Sequence, residues 1–360
     1  MVIRHIAVQG FRNIALATMD LAGGCAAFVG ANGQGKTNLL EAVGFVTALR
    51  SFRQPDARLL IGHGMPEAGI FLRLEHEKSG PTDVTIRLRP GGKEIVVDGA
   101  GVTRLGDFLG KFPTVTFCFQ DIQLIRGSPS ARRRFLDLVL AAMDSNYLDA
   151  LQRYHKALAG RNALLKSAAG SSEIAAFEHP LSDAAVRLIA GRESGVAILS
   201  RMLADAYRVI VPEGETPEFA YEADAVETDA GVYAGALAGL REQDRIMRNT
   251  QRGPHRDDFS LRIDGRSARD FGSEGQQRSL VLALRLAQLA YFYERSGVRP
   301  VALADDVLGE LDPGRRRRFW SALDSCQQVL ATGTLVPDVP AHGGWQVFTV
   351  EHGDFIPSTA

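Results

Sequence analysis

The chain has 360 residues, of which 45% are apolar and 23% are charged, and its formal net charge is −1. This composition is typical of a globular protein with room for two domains, and the near-zero charge excludes a globally basic nucleic-acid binder. Three distant cysteines, Cys25, Cys118 and Cys326, lack metal spacing and fit a reducing compartment. No apolar stretch reads as a signal peptide or a bilayer span, so we expect a cytoplasmic protein without a membrane partner.

Residues 1–127 are rich in strand signals. Alternating or β-branched runs lie between Gly and Pro turns, which is typical of half-buried strands. A helix follows the first glycine-rich turn, with Leu39, Leu40, Val43 and Val46 on one face. The predicted strands are "HIAVQGF", "GIFLRLEHE", "DVTIRLRP" and "KEIVVDG".

From Pro129 to about Arg248 the pattern predicts helices. Apolar residues recur at helical spacing in "ARRRFLDLVLAAM", "LQRYHKALAGRNALL" and residues 182–210. The Gly/Ser-rich "SAAGSSEIAAF" is typical of a loose connection between helices.

After Gly253 the sequence returns to alternating strands and helices. The predicted elements are a strand in "DFSLRIDG", a helix from Gln276 to Tyr293, a strand in "PVALAD", a helix after Pro313, and strands in "QQVLATGT" and "WQVFTVEHG". The simplest architecture is one α/β domain formed by both ends of the chain, residues 1–128 plus 249–360. A helical domain, residues 129–248, is inserted between them.

The segment "GANGQGKT", Gly30 to Thr37, is a complete Walker A pattern between a predicted strand and a predicted helix. Its glycines let backbone N–H groups face phosphate oxygens, and the helix N-terminus adds a favourable field. The pattern predicts that Lys36 contacts the β- and γ-phosphates and that the Thr37 hydroxyl binds Mg²⁺. A chance glycine-rich turn is the alternative, and the flanking strand and helix disfavour it.

Two adjacent carboxylates, Asp305 and Asp306, follow the apolar strand in "RPVALADDVLGELD". A carboxylate at the end of a buried strand beside a P-loop can bind Mg²⁺, as a Walker B aspartate does. The second carboxylate can orient or deprotonate an attacking water. An acidic turn without a function is the alternative, and the Walker A pattern favours the site. ATP and Mg²⁺ are therefore the predicted cofactors.

The segment "FGSEGQQRS" predicts the start of a helix, because Ser273 and Gln276 have the spacing of a capping box. Ser273-Glu274-Gly275-Gln276 also resembles the "SGGQ" core of the ABC signature, which binds the γ-phosphate held by a second subunit. Glu274 departs from that pattern, since transporters carry glycine there. A capped helix without further function is the alternative.

Several segments together resemble the RecF family of SMC-like ABC ATPases: "GFRNI", "RSFR", "GSPSARRRFLD", "GPHRDDF", "SEGQQRS" and "DDVLGELD". The resemblance runs in order from Val2 to near the C-terminus. It implies an ABC-type P-loop ATPase head with an inserted helical domain, an ATP-dependent homodimer and slow, DNA-stimulated hydrolysis. It also implies binding to double-stranded DNA near gaps or single-strand/double-strand junctions, and cooperation with RecR and RecO in loading RecA.

The resemblance also implies roles for individual residues. Asp306 takes the place of the catalytic glutamate and acts with Lys36, while Thr37 and Asp305 bind the metal. Thr332 or Thr334 has to substitute for an absent switch histidine. The residues implied to bind the nucleotide are Gly30, Ala31, Asn32, Gly33, Gln34, Gly35, Lys36, Thr37, Asn38, Arg12, Arg53, Gln120 (as a Q-loop), Ser273, Gly275, Gln276 (as the signature) and Asp312 (as a D-loop).

Two arginine clusters are candidates for DNA contact, Arg132–Arg134 and Arg315–Arg318. Both lie in the first turns of predicted helices, where cations oppose the helix dipole and an anionic partner is favourable. Ser128 can cap the first of these helices and Pro129 can open it. A solvated face is the alternative for both clusters, and internal ion pairs are a further alternative for Arg132–Arg134. The resemblance makes His255 and Arg256 in "GPHRDDF" candidates for the dimer surface or the DNA surface, and a simple turn before a strand is the alternative.

Four other functions fit parts of the sequence. A transporter nucleotide subunit would need a membrane partner, and "GSPSARRRFLD" disfavours it. A monomeric P-loop phosphotransferase would have no use for a signature, which works only across a dimer. The complete Walker pair disfavours an interaction protein with a vestigial site. The RecF-like segments disfavour an SMC-type ATPase that does not act on DNA.

Overall fold

The computed structural model describes residues 1–53, 56–167, 169–212, 214–307, 311–324, 326–337 and 344–358. The chain divides into two units. Unit 1 comprises Met1–Asp121, Asp205–Gly214 and Arg278–Ala360, and unit 2 comprises Ile122–Ala204 and Glu215–Gln277. These bounds differ from the predicted domain bounds, and the assignment of an ATPase domain at 1–128 plus 249–360 with an insertion at 129–248 stays a prediction.

The described residues form strands and helices in alternating blocks. The strands are β1 Val2–Phe11, β2 Ile14–Asp20, β3 Gly24–Val29, β4 Ala68–His76, β5 Gly80–Arg89, β6 Gly92–Val97, β7 Ala100–Gly101, β8 Thr114–Cys118, β9 Pro217–Glu222, β10 Asp258–Ile263, β11 Arg266–Ser267, β12 Val301–Asp305, β13 Gln328–Gly333, β14 Trp345–Glu351 and β15 Asp354–Pro357. The α-helices are α1 Lys36–Ala48, α2 Gln123–Arg126, α3 Pro129–Met143, α4 Ser145–Lys166, α5 Ser171–Ile210, α6 Ala230–Gly239, α7 Arg241–Met247, α8 Ala268–Phe271, α9 Glu274–Ser296 and α10 Pro313–Leu323.

Unit 1 contains an antiparallel sheet in the order β2-β1-β4-β5-β6-β7. Apolar residues on alternate positions of β1, β4 and β5 are buried, and polar residues between them are more exposed, as the period of a strand requires. Cross-strand ion pairs such as Arg73 with Asp83 lie on its exposed side. The four strands predicted in this stretch are confirmed.

A second sheet of unit 1 has the order β15-β14-β3-β13-β12-β8 and is parallel except for the β14–β15 pair. The strands β8 and β12 are buried at every position, because a parallel sheet is covered on both faces. Helix α1 buries the predicted stripe of Leu39, Leu40, Val43 and Val46. The α/β class is confirmed.

Unit 2 holds α3, α4, most of α5 and a three-stranded antiparallel sheet in the order β11-β10-β9. Strand β9, Pro217–Glu222, lies inside the stretch that was predicted to be entirely helical, and that prediction is wrong there. Phe219 and Leu261, which face each other in the register, are buried. The strand forms because β10 supplies its hydrogen-bond partners, which a local pattern does not reveal.

Helix α5 corrects a second prediction. It begins at Ser171, so most of the Gly/Ser-rich segment predicted as a connection is helical, and it includes Pro180. Buried Ile174, Leu181 and Leu188 continue its apolar stripe, which outweighs the weak local propensity. Among the helices of the described residues, none has both the length and the apolarity needed to cross a membrane.

Candidate nucleotide-binding site

The Walker A segment lies between β3 and α1 in unit 1, as predicted. Gly30 is required by a close approach, since a Cβ there would lie 2.3 Å from the carbonyl oxygen of Val350. Gly35, the residue before α1, has a φ of 109°, which favours glycine. Ala31, Asn32 and Gly33 are exposed. The loop therefore presents its backbone at the N-terminus of a buried helix, where an anion is favoured.

Lys36 reaches back across this loop. Its ammonium donates to the carbonyl oxygens of Gly30 and Ala31, both at 2.7 Å. Burial lowers the pKa of Lys36, and the carboxylates of Asp306 and Asp305 counteract that shift. Both hydrogen bonds go to neutral acceptors, so an anionic phosphate is a stronger acceptor for the same ammonium.

Two predicted metal ligands are in direct contact. The Thr37 hydroxyl donates to Asp305 Oδ1 at 2.7 Å, and Thr332 donates to the same oxygen at 2.8 Å. The parallel register explains the contact, because Asp305 lies opposite Thr332 at the carboxyl end of the sheet. Burial raises the pKa of Asp305, although the hydrogen bonds from Thr37 and Thr332 oppose this. Thr332, one of two candidates for the missing switch position, thus touches the site, while Thr334 is exposed.

Asp306 differs from Asp305 although the two are adjacent. Its backbone has a φ of 50°, and its N–H donates to the carbonyl oxygen of Thr332 at 3.2 Å. The residue is exposed, whereas Asp305 is buried. A carboxylate on such a turn can contact solvent water while Asp305 is occupied by hydroxyl donors.

The two predicted arginines meet at Glu41, a residue that the sequence interpretation missed. The Glu41 carboxylate is fully buried on α1 and accepts from Arg12 Nε at 2.5 Å and Arg12 NH2 at 2.8 Å. Arg53 NH1 lies 3.4 Å from the same carboxylate and donates to Asn38 Oδ1 at 3.0 Å. A charged residue amid the apolar run "NLLEAV" was the available signal.

The C-terminal hairpin also contacts the loop, which no motif predicts. The N–H of His352 donates to Gln34 Oε1 at 2.6 Å, and the N–H of Gly353 donates to the Gln34 carbonyl oxygen at 2.9 Å. Asn13 lies on the loop as well, donating to the Gly33 carbonyl oxygen at 3.4 Å and accepting from Asn38 at 2.7 Å. The P-loop conformation is thus supported from the β1–β2 turn and from the β14–β15 turn.

The signature-like segment opens α9 and belongs to unit 2. The capping box is confirmed: Ser273 N–H donates to Gln276 Oε1 at 2.8 Å, and Gln276 N–H donates to Ser273 Oγ at 3.3 Å. Glu274, which departs from the signature, lies 3.7 Å from Arg126 NH2. Gly275 is half-buried and Ser273 is exposed.

Two other predicted nucleotide contacts have different surroundings. Asp312 is the N-cap of α10 and accepts from the N–H groups of Gly314 and Arg315, both at 2.9 Å. These hydrogen bonds, first that from Arg315, lower its pKa. Gln120 is exposed on the short turn after β8. Neither is joined to the P-loop by a hydrogen bond within the described residues, and their roles stay predictions.

Most of the predicted DNA-contact arginines have internal partners. Arg132 is buried and forms a bidentate pair with Asp258 at 2.8 and 2.9 Å, while Arg133 donates to the Asp257 carbonyl oxygen at 2.6 Å. The Ser128 hydroxyl pairs with Ser130 instead of capping α3, so its predicted capping is wrong.

The second cluster is also partly engaged. Arg315 lies 3.3 Å from Asp312, Arg316 donates to the Leu311 carbonyl oxygen at 3.2 Å, and Arg318 donates to that of Ile210 at 2.7 Å. Arg317 is the exposed member of the cluster. Of the other candidates, His255 bonds Tyr154 and Thr250, and Arg256 donates to Gln251 at 3.2 Å.

Sequence relatives agree on one family. The family described as "RecF/RecN/SMC N terminal domain" matches residues 2–334. The DNA replication and repair protein RecF of Thermosynechococcus vestitus is 37% identical over 345 residues, covering 93% of this chain and 91% of that protein. The protein of the same name from a Synechococcus species is 35% identical over 376 residues, covering 100% and 99%.

Solved structures give the same result. A structure of the recombination mediator protein RecF-ATP in the RecFOR pathway has a TM-score of 0.90 and 29% identity, covering 99% of this chain and 98% of that chain. An Smc head bound to the C-winged helix domain of ScpA has a TM-score of 0.55 at 16% identity, which supports the fold alone. The chain belongs to the RecF family of DNA replication and repair proteins.

Proposed function

We propose that this chain is an ATP-driven switch of DNA repair, in which Mg²⁺-ATP joins two copies on DNA and slow hydrolysis releases them. The observation that carries the proposal is the pair formed by Thr37 and Asp305, 2.7 Å apart, beside a loop spanned by Lys36. It brings a Walker A hydroxyl and a Walker B carboxylate to one point.

The residues present fit ATP and Mg²⁺. The exposed backbone of residues 31–33 offers donors to phosphate oxygens, and Lys36 supplies a compact cation. Hydroxyl and carboxylate oxygens, as on Thr37 and Asp305, are the ligands Mg²⁺ prefers. The metal would neutralise charge on the phosphates, and Thr332 would keep Asp305 oriented.

The hydrolytic step rests on Asp306. Its exposed carboxylate can accept a hydrogen bond from a water that attacks the γ-phosphate, and this orients the water. Asp306 is one methylene shorter than the glutamate that its position resembles, which supports slow turnover. Asp306→Asn is expected to keep ATP and trap the ATP-bound dimer.

The dimer would use the start of α9. The exposed Ser273 hydroxyl and the favourable field of this helix terminus suit a γ-phosphate held by a second copy. The pairing of Glu274 with Arg126 lessens the repulsion that a free carboxylate would exert there.

The partners follow from the relatives, which are named for DNA replication and repair and for the RecFOR pathway. We propose double-stranded DNA near gaps or junctions as the ligand that stimulates hydrolysis. RecR with RecO would be the protein partners, and the cytoplasm the compartment. Since Arg132 and Arg133 have internal partners, the phosphate contacts must come largely from other cations such as Arg317.

Mixing two inactive variants tests the shared site. Ser273→Arg should bind ATP but neither dimerise nor hydrolyse it, and Lys36→Met should bind ATP weakly and not hydrolyse it. A mixed dimer has one site with both lesions and one with neither, so part of the ATPase activity should return. Ser145→Arg is the matched control, because it adds the same cation at the start of α4 and should leave dimerisation intact.

The mass of the wild-type protein is measured in parallel by light scattering, with and without ATP. A protein that stays monomeric at saturating ATP contradicts the proposal. If ATP does produce dimers but the mixture stays inactive, the two sites must act together.

A further inference from the structure

A single buried carboxylate serves two arginines beside the P-loop. The Glu41 side chain is 0% exposed, while those of Arg12 and Arg53 are 21% and 31% exposed. Ser51 completes the cluster: its hydroxyl donates to the Glu41 carboxylate, and it accepts from the N–H of Arg53 at 2.9 Å. One negative charge therefore faces two positive charges.

The two arginines are held unequally. Arg12 makes the bidentate contact at 2.5 and 2.8 Å, and its own N–H donates to the Leu60 carbonyl oxygen at 2.8 Å. Arg53 makes one contact to Glu41, at 3.4 Å, and is the more exposed of the two. Bidentate pairs are stronger than single charged contacts, so Glu41 is committed to Arg12.

Arg53 also lies close to the nucleotide site. It donates to Asn38, the neighbour of Thr37. The donor–acceptor distance from Arg53 Nη1 to Asn38 Oδ1 is 3.0 Å. The guanidinium is thus near the atoms that would hold Mg²⁺ and the phosphates.

We propose that Glu41 is a positioning residue that anchors Arg12 and holds Arg53 in a weak ion pair, from which the phosphates of a bound nucleotide withdraw it. The inference rests on the proposed nucleotide site. Because the Glu41–Arg53 contact is broken when Arg53 moves, the contact opposes nucleotide binding. Arg12 stays with Glu41 in both states.

A double-mutant cycle in nucleotide affinity tests this exchange. The variants are Glu41→Gln, Arg53→Ala and their combination, titrated with AMPPNP and Mg²⁺ by calorimetry. Glu41→Gln keeps the shape of the side chain and releases Arg53. Partly exposed ion pairs contribute little, so we expect roughly two- to fivefold tighter binding. In the Arg53→Ala background the same substitution should no longer tighten binding, because any effect through Arg12 is common to both backgrounds and cancels in the cycle.

A purely structural role of Glu41 predicts a different pattern. Glu41→Gln would then change the AMPPNP affinity equally with and without Arg53, whereas a lower melting temperature is expected in either case because the buried pair with Arg12 is weakened. Weaker binding that vanishes in Arg53→Ala would also overturn the exchange, because Glu41 would then present Arg53 to the phosphates. Asp83→Asn is the matched control: it breaks a bidentate pair with Arg73, at 2.9 and 3.1 Å, away from the loop and should not change the affinity.

Ser51→Ala is the second variant should Glu41→Gln not fold. It removes the hydroxyl that ties Arg53 to Glu41 and should tighten AMPPNP binding in the same direction by a smaller factor. Unchanged affinity in a folded Ser51→Ala protein counts against the exchange. If the wild-type protein itself does not bind AMPPNP, the proposed function is contradicted as a whole, and the role of Glu41 is contradicted with it.

Discussion

The P-loop of unit 1 and the buried ion-pair cluster of unit 2 hold their cations in different ways. Lys36 donates to two backbone carbonyl oxygens, which are neutral. Arg192 in unit 2 instead pairs with the carboxylates of Asp137 and Asp257, and Asp257 is 0% exposed. A cation on neutral acceptors can be transferred to a phosphate, whereas a cation in a buried ion pair cannot leave without exposing a charge to an apolar surrounding.

This difference explains the arginine clusters. Arg132 and Arg133, next to this buried cluster, were candidates for DNA contact, yet they bond Asp258 and the Asp257 carbonyl oxygen. A run of basic residues in a sequence therefore indicates positive charge, but it does not indicate that these side chains can contact DNA. Substitutions at four positions break or sharpen the comparison, from the largest expected effect to the smallest.

Asp257→Asn is expected to have the largest effect. Asp257 accepts from Arg192 at 2.7 Å, from the Tyr221 hydroxyl at 2.6 Å and from the Asp224 N–H at 2.9 Å. Breaking a buried pair leaves a charge uncompensated, so we expect a loss of about 3–5 kcal/mol in the free energy of unfolding.

Urea unfolding measures the Asp257 effect. Asp149→Asn is the control, since it breaks an exposed pair with Arg153 and should cost less than about 0.5 kcal/mol. Equal losses in the two variants would contradict the view that the unit 2 cluster is structural.

Lys36→Met should affect function and not stability. Loss of hydrogen bonds from a charged group to phosphate predicts about 10- to 100-fold weaker ATP binding. Lys36→Arg should bind ATP but hydrolyse it poorly, because a planar guanidinium does not replace a compact ammonium. Calorimetry measures ATP binding and ATPase assays measure hydrolysis. A wild-type affinity for ATP in Lys36→Met would contradict the assignment of the site.

Gly353→Ala tests the support of the loop by the C-terminal hairpin. Gly353 has a φ of 89°, and a Cβ there would lie 3.0 Å from the Asn13 carbonyl oxygen. We expect the free energy of unfolding to fall by about 1–2 kcal/mol and the ATP affinity to fall severalfold. Gly80→Ala is the matched control, with a φ of 73° and open space around its Cβ. Equal ATP affinity in the two variants would show that the β14–β15 hairpin does not support the nucleotide site.

His255 should give the smallest effect, as a pH dependence. Its Nε2 donates to the Thr250 carbonyl oxygen at 3.0 Å, because a carbonyl oxygen can only accept, and its Nδ1 lies 2.6 Å from the Tyr154 hydroxyl oxygen. Burial lowers its pKa, and nearby Arg256 adds to the shift. The unfolded chain therefore binds the proton more readily, and stability is lost as the pH falls below about 6.5.

The His255 contribution is measured by urea unfolding between pH 5 and 8. His255→Gln should flatten that part of the profile, while His179→Gln, at an exposed position, should leave it unchanged. An unchanged slope in His255→Gln would assign the pH dependence to other groups.

Local features were predictable from the sequence alone. The P-loop needs only eight consecutive residues, Gly30 to Thr37, between a strand and a helix. The capping box of Ser273 and Gln276 spans four residues, and the buried stripe of α1 follows from helical spacing. In each case the interacting atoms are close in the chain, so the residue types and their spacing determine the contact.

Long-range pairing was decided by the tertiary structure. Strand β9 exists because β10 both donates and accepts its hydrogen bonds as an antiparallel neighbour, and the partners of Arg132, Arg133 and Glu41 come from segments distant in sequence. A side chain's charge is a property of its residue type, but the acceptor it meets depends on which backbone segments the fold brings together. The sequence alone therefore determined the family and the P-loop, whereas the fold decided which cations stay in ion pairs and which face the nucleotide site.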